Sequence, residues 1–525
     1  MRSYNKVIAI FLTVVLLGGC QNFDDLVVNK NLPTSVPPDL LLTGIMEHLN
    51  DANAWNGKQG SMSAAQFFIS TYDYYGTNNY DQGPFTKTSN SFEYVTVIQN
   101  VQQMDIEAKK LGLPVINAYS ALGKFFRAYY FNLMSQKLGD IPLSMALQGS
   151  DNTMPVYDTQ KDVYKQILTW LDEANSDLTS LVAANAAIKG DIYLGNSLAA
   201  WQRIVNAFEL RVLVSLSKKA DDADLNVKGR FAAIVASRPI MVDLSDNVMY
   251  KYNAQYNNYP KNPTSQGRDA HRENIGSAFL DVTTALKDPR TFIAATPAPA
   301  LLNATASNFA DFAAYKGAPA GLSMSELGVN AQGGQYSFVN AQRYYVDFAG
   351  SKAEPAIIIG YPEMCFNIAE GINRGWSAGD AGAWYMKGIN ASMSFLGISQ
   401  NSTIDIGNNL STVYYGKVTV DLNAYLAQPS VVYKSGADGL NQILTQKYIA
   451  FWQNSNWEAF FNQRRTGVPV LSTGPGNGNG NKIAVRWQYP VAESSANVDN
   501  YSSAVGRQFG SQGGDTLNGL MWILQ

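Results

Sequence analysis

Regularly spaced apolar stripes constrain this chain more than any other feature. Ala118, Ala121, Leu122, Phe125, Phe126, Tyr129, Tyr130, Leu133 and Met134 recur at i, i+3, i+4 and i+7, one face of a helix. Gly139 stops the pattern and Pro142 follows it. Val163, Ile167, Leu171, Ala174, Leu178 and Leu181 form a second stripe, with Asp158 or Thr159 placed to cap it. Trp201, Ile204, Val205, Phe208, Val212 and Leu216 mark a third helix from about Leu198 to Lys219. Further helices are expected over Pro362–Arg374, Ala381–Leu396 and Leu440–Arg465. The last ends in two arginines, then Gly467 and Pro469, a sequence that favours a helix C-terminus. Stripes of this kind must cover one another, so a mainly helical fold of antiparallel pairs is predicted.

The helices are separated by irregular stretches at roughly 51–98, 222–275, 297–360 and 397–438, rich in Tyr, Asn, Gly and Ser. Loops of this length in a compact protein are usually functional or disordered, and abundant rings argue against disorder. The 525 residues include 29 Tyr, 23 Phe and 9 Trp, but only 15% are charged and the net charge is −3. That balance gives no basic field, which disfavours nucleic acid as a partner. Two Cys cannot build a disulfide framework or a four-thiolate zinc site, and His48 and His271 lie far apart. Rings interleaved with neutral amides suit an uncharged polar ligand.

Arg2 and Lys6 precede an apolar run, Val7 to Leu17, that is too short to span ~30 Å of hydrocarbon. It reads as a signal peptide. Leu17-Gly18-Gly19-Cys20 resembles a bacterial lipobox, so residues 1–19 are expected to be removed and Cys20 to be lipidated. Several acyl chains would anchor the protein stably. Gln21 follows, and Asp24-Asp25 resembles the surface-export signal of some Gram-negative lipoproteins. Residues 20–38, with Pro33, Pro37 and Pro38, read as a tether, and 39–525 as one domain.

Catalytic and metal motifs fail on inspection. The glycine-rich stretch 473–481 lacks the Lys-Ser/Thr pair of a phosphate loop and is expected to be a flexible surface loop. Asp222-Ala223-Asp224-Leu225-Asn226 lacks the Gly and Glu that a calcium loop requires further on. Cys365 lies on an apolar helical face and reads as a buried residue. No catalytic residue, metal ligand or cofactor is assigned. Two of the 42 acids converging in space would suffice for glycoside hydrolysis, so a surface hydrolase stays as an alternative.

Several segments, taken in order, carry a resemblance. They include Lys137-Leu138-Gly139-Asp140-Ile141-Pro142, Pro155-Val156-Tyr157-Asp158 and Gly190-Asp191-Ile192-Tyr193-Leu194-Gly195-Asn196. Asn206-Ala207-Phe208-Glu209-Leu210-Arg211, Asp288-Pro289-Arg290 and Ala369-Glu370-Gly371-Ile372-Asn373-Arg374 follow. Arg464-Arg465-Thr466-Gly467-Val468-Pro469 and Arg486-Trp487-Gln488-Tyr489-Pro490 complete the set. Together they resemble the SusD/RagB family of nutrient-uptake outer-membrane lipoproteins, in its SusD-like, starch-binding-associated branch. The resemblance implies tetratricopeptide-like helix pairs whose long insertions build a ligand-binding face. It implies a non-enzymatic protein on the outer membrane, facing outwards. Such a protein would hand glycans, or alternatively peptides or another nutrient, to a SusC-like TonB-dependent transporter.

The motif charges Arg211, Glu370 and Arg464 read as paired or capping groups of the scaffold. The ligand site is expected where rings alternate with amides: Tyr74, Tyr75, Asn78, Asn79 and Tyr80 as one wall, Tyr256 and Tyr259 as the second. Tyr336, Phe338, Asn340, Tyr344 and Tyr345 form a further candidate group.

Overall fold

The computed structural model describes residues 35–50, 60–72, 83–88, 90–253, 259, 272–304, 308–346, 354–408, 413–510 and 514–525. Its longer helices are α1 (Pro38–Glu47), α2 (Gln99–Lys110), α3 (Ala118–Leu138), α4 (Gln160–Ala183), α5 (Leu198–Ser215), α6 (Val227–Ser237) and α7 (Ser277–Ala285). They continue as α8 (Met324–Gln332), α9 (Tyr361–Asn373), α10 (Ala381–Phe395), α11 (Gly436–Ala450), α12 (Glu458–Thr466) and α13 (Val498–Phe509). Among the described residues three two-stranded antiparallel ribbons accompany them: β1 (Phe68–Ser70) with β3 (Glu273–Ile275), β2 (Val248–Tyr250) with β4 (Ala356–Ile359), and β5 (Thr403–Asn408) with β6 (Val413–Thr419).

Successive helices pack in chain order, α1 on α2, α2 on α3, α3 on α4 and α4 on α5, before α9 joins α5 and packs on α10 and α11. The predicted stripes are the contact surfaces. Phe125, Phe126, Trp201, Ile204 and Phe208 are all 1% exposed or less, and Phe125 meets Trp201 and Phe208 at centroid distances of 5.7 and 5.6 Å.

Helix starts follow local chemistry. Asn117 and Ser120 form a capping box on α3, Thr159 caps α4 through Asp162 N–H, and Ser197 caps α5 through Ala200 N–H. Gly139 ends α3 at φ 94°, and an added Cβ would lie 2.0 Å from Gln508 Oε1. Beyond it, the Asp140 carboxylate accepts from Gln160 N–H at 2.8 Å and from Arg507 Nε at 2.8 Å, joining the start of α4 to α13. At the other end of the chain, Ser35 donates to Glu107 Oε2 at 2.7 Å and Pro38 is buried.

The motif charges converge inside the stack. Arg211 pairs with Glu363 through bonds of 2.7 and 2.6 Å. Glu370 receives Arg465 at 2.6 and 3.0 Å and Arg374 at 3.0 Å. Burial pushes the Glu370 carboxyl up, but Arg465, Lys447 and Arg374 outweigh it and hold the group down at about 2. Burial brings Lys447 down to about 8, and its ammonium donates to Asn367 at 2.6 Å and Asn462 at 2.8 Å. Arg464 departs from expectation. Among the described residues it has no carboxylate partner; it donates to Val485 O and Gln136 Oε1, both at 2.7 Å, and burial lowers its pKa to about 9.

Two further expectations are corrected. Residues 440–465 do not form one helix: α11 stops at Ala450 and α12 starts at Glu458, with Gln453, Ser455 and Asn456 all at positive φ between. The glycine-rich stretch 473–481 is partly packed. Gly476 and Asn477 are buried, and a Cβ on Gly476 would sit 2.0 Å from Leu322 O and 2.3 Å from Ala320 O.

Candidate functional site

The break between α11 and α12 is where the long insertions meet the helical body. Gln453, Ser455 and Asn456 have φ of 59, 61 and 52°. Left-handed non-glycine residues each cost on the order of 1–3 kcal/mol and persist only where neighbours over-determine them. The neighbours here are insertion residues, two strands and the ends of two helices. Trp452, 2% exposed, stacks on Phe279 of α7 at 4.6 Å and meets Phe68 of β1 at 4.9 Å. Its indole Nε1 donates to Tyr344 OH at 3.0 Å. Tyr259 OH donates to Gln453 Oε1 at 2.9 Å. Ile357 N–H donates to Asn454 Oδ1 at 2.9 Å, and Ser455 N–H to Ile357 O at 2.6 Å, fixing β4. Asn456 Nδ2 donates to Leu49 O at 2.9 Å, just beyond α1.

Five consecutive residues therefore hold positions on three of the long insertions and at the end of α1. The ribbons bring two of those insertions side by side. Ser70 pairs with Glu273, so the chain leaving β1 towards residues 73–82 and the chain arriving at β3 from 260–271 share one end of a ribbon. Thr71 extends the pairing by donating N–H to Arg272 O at 2.8 Å and Oγ1 to Asn274 Oδ1 at 2.6 Å. The Arg272 guanidinium lies 4.6 Å from the centroid of the Tyr72 ring, which is 36% exposed. Tyr250 pairs with Ala356 in the second ribbon, so the segment after β2 and the one before β4 also share an end.

Of the residues proposed from sequence, Tyr74, Tyr75, Asn78, Asn79, Tyr80 and Tyr256 lie outside the described residues, as does Cys20. Tyr259 is buried at 4% exposure, with its ring 5.4 Å from that of Tyr252, itself 5.3 Å from Tyr250. Tyr336, Asn340 and Tyr344 are 3, 0 and 1% exposed, and Asn340 Nδ2 donates to Phe292 O and Asp405 O at 2.9 and 2.8 Å. Tyr336, Asn340 and Tyr344 therefore belong to the core, where the two rings anchor loops. A crevice of about 10 Å³ lined by Tyr252, Tyr259, Trp452 and Gln453 holds no more than a water. The kink was missed from sequence because Phe451 and Trp452 continue the apolar stripe. Its signal was Gln453-Asn454-Ser455-Asn456, a run of residues that favour turns and, in Asn, tolerate left-handed backbone.

Among the described residues no group of three or more His, Cys, Asp or Glu is placed to hold a metal ion, and no helix is long and apolar enough to cross a membrane.

The family model of SusD-like proteins, described as starch-binding and associating with the outer membrane, matches residues 30–490. The chain belongs to that family. Among solved structures, a SusD homologue from Bacteroides fragilis is 32% identical, with a TM-score of 0.79 over 93% of this chain and 100% of its own. A second B. fragilis SusD homologue is 29% identical, with a TM-score of 0.75 over 94% and 100%. A chitin-binding SusD homologue from Flavobacterium johnsoniae is 20% identical, with a TM-score of 0.66 over 93% and 98%, a likeness of fold. No curated protein matches the chain.

Proposed function

We propose that this chain is a surface-exposed outer-membrane lipoprotein, anchored through Cys20, that binds oligosaccharides and passes them to a SusC-like TonB-dependent transporter. Residues 1–19 act as the signal peptide, 20–38 as the tether and 39–525 as the binding domain. The family match over residues 30–490 carries the reading. The kink at 452–456 supports placing the ligand on the loop-bearing face, because it ties three insertions to one point of a rigid stack. Tyr74, Tyr75 and Tyr80 supply planes for the apolar faces of sugar rings, while Asn78 and Asn79 supply donors and acceptors for hydroxyls. Tyr256 and Tyr259 belong to the second wall, where Tyr259 acts as the anchored base. The role is binding without catalysis.

Calorimetry of the mature domain against starch, chitin and other plant or microbial oligosaccharides tests the ligand class. Saturable binding of at least one glycan is expected, with no cleavage product. Binding of peptides and of no glycan contradicts it. Mild-detergent purification of the tagged lipoprotein should recover a TonB-dependent barrel, and Cys20→Ala should release the protein from membranes. A Cys20→Ala variant that still pellets with membranes contradicts the anchor.

A further inference from the structure

The turn between α2 and α3, Leu111-Gly112-Leu113-Pro114-Val115-Ile116, is aliphatic and exposed throughout. Leu111, Leu113, Val115 and Ile116 are 65, 37, 94 and 48% exposed. Other turns of the stack are polar: Ser217-Lys218-Lys219-Ala220-Asp221-Asp222 follows α5, and the turn from α9 to α10 buries its one large ring, Trp376. Contiguous apolar surface of this kind marks an interaction site more often than chance. Hydrogen bonds fix the turn in place. Leu113 N–H returns to Ala108 O at 3.1 Å and Gly112 N–H to Lys109 O at 2.9 Å, with Gly112 at φ 72°, which closes α2. Asn117 Nδ2 donates to Pro114 O at 2.8 Å and Ser120 Oγ to Val115 O at 3.0 Å. The aliphatic side chains are held outward by their own backbone.

The end of the stack that carries this turn is also where the chain enters it. Ser35 donates to Glu107 Oε2 at 2.7 Å, one helical turn before Leu111. α1 starts at this end, and Thr43 Oγ1 donates to Gly190 O at 2.8 Å, which brings the turn between α4 and α5 alongside. Leu40 and Ile192, both exposed, add to the apolar surface. Lys109 and Lys110 close α2 and Lys189 precedes Gly190, all of them exposed. The nearby acids are mostly occupied. Glu107 accepts from Ser35, Gln103 and Lys110, and Asp191 accepts the N–H groups of Tyr193, Leu194 and Asn196. Asp39 is half-buried, and no Asp or Glu occurs between Glu107 and Asp140.

Reach decides which surface lies opposite. The stretch from Cys20 to Ser35 spans at most about 50 Å when fully extended. A compact domain of this size is about 60 Å across. With Cys20 in the membrane, the end carrying Ser35 cannot be the one that points away from it. The chemistry of the turn fits that surface. Val115 stands clear of the protein, aliphatic side chains flank it, and lysines form the rim. Apolar groups bordered by cations settle at the boundary between headgroups and acyl chains, ~5–10 Å deep. The lysines meet phosphate there, and the acid-free stretch from 108 to 139 opposes no anion.

We propose that the turn between α2 and α3 is a membrane-docking element: Leu111, Leu113, Val115 and Ile116 enter the lipid interface beside the Cys20 anchor, and Lys109 and Lys110 meet anionic headgroups. The proposal rests on the Cys20 anchor for the position of the membrane and is independent of the ligand bound by the insertions. Anchor and turn together hold the domain at two points, which restricts its orientation on the membrane.

The test uses the full mature lipoprotein, its acylation checked by mass spectrometry, in vesicles of phosphatidylethanolamine and phosphatidylglycerol. A fluorescent thiol probe is placed through Val115→Cys and, as a control, through Val329→Cys on exposed α8 surface. Acylation blocks Cys20, and Cys365 is buried with its thiol pushed up to about 12, so the introduced Cys takes the label. Nitroxide-bearing lipid should quench the probe at 115 severalfold and leave the probe at 329 unchanged. Adding Leu111→Ser and Leu113→Ser should restore most of the emission at 115 without lowering the melting temperature. An acylated, vesicle-bound protein whose probe at 115 is not quenched overturns the proposal and leaves the anchor intact. Equal quenching at 115 and 329, or quenching that the serine variants leave unchanged, also overturns it. So does quenching at 115 that appears only when a TonB-dependent barrel is present, which would make the turn a protein interface. A mass spectrum without acyl chains overturns the anchor and this proposal with it.

Discussion

α3, α4 and α5 bury their rings against one another by repeating one spacing along each helix, so every contact has neighbours that support it. The loop-bearing face works through single residues. Tyr259 rests on Gln453, Tyr344 on Trp452, β4 on Asn454 and Ser455, and the end of α1 on Asn456. The body is redundant, whereas the face depends on five residues, three of them held in left-handed backbone. Such a division lets a stable stack carry insertions whose sequence can change with the ligand, provided the kink is kept.

The largest effect should come from the body. Glu370→Ala leaves Arg465 and Lys447 buried without their carboxylate, and breaking a buried pair typically costs about 3–5 kcal/mol. Chemical denaturation should show that loss, while glycan affinity of the folded fraction stays unchanged. Trp452→Ala should cost about 3–5 kcal/mol as a large-to-small core change. Unlike Glu370→Ala, it should also weaken glycan binding, because it releases Tyr344 and Phe68 together. Equal behaviour of the two variants in the binding assay would erase the distinction between body and face.

A smaller contrast lies in pH dependence within the body. Burial pushes Glu209 up to about 7 despite Arg238 and Arg230. A folded pKa above the unfolded value of ~4.3 means that its contribution is full below pH ~4.3 and is lost as pH rises through about 7. Glu370, held at about 2, has the opposite sign: its contribution is present above pH ~4.3 and falls away as pH drops towards 2. Glu209→Gln should therefore gain stability relative to the parent as pH rises from 4.5 to 8, by a few kcal/mol at most. Thermal melts across that range provide the check. The smallest stability effect is expected for Tyr75→Ala and Tyr80→Ala. Each should change the melt little and weaken glycan binding by ~1–2 kcal/mol, roughly five- to thirtyfold. A large drop in melting temperature would mark the rings as core.

The helical body was readable because its burial is periodic: the stripes at 118–134, 163–181 and 201–216 became α3, α4 and α5, and Gly139 ended α3 as expected. Periodicity failed where the apolar pattern ran through a break. Phe451 and Trp452 extend the stripe of α11, yet the helix stops at Ala450, Trp452 packs on Phe279 and Phe68, and three residues turn left-handed behind it. The glycines near 476 looked permissive, but Gly476 is needed for close approach to the backbone of Ala320 and Leu322. Ring content pointed to the insertions without distinguishing anchors from ligand contacts. Tyr336 and Tyr344 share the composition of residues 74–80 and are nevertheless core. What separates the two kinds of ring is a long-range partner, such as Trp452 for Tyr344, which no local pattern encodes.

The central claim is that ligand is held by the insertions gathered at the kink. Hydroxyl-radical footprinting of the mature domain, with and without a saturating oligosaccharide that calorimetry has shown to bind, tests it directly. Protection concentrated at Tyr72 to Tyr80 and at residues 254–271, with Tyr336 and Tyr385 unchanged, is the predicted result. Protection confined to the helical stack would contradict it.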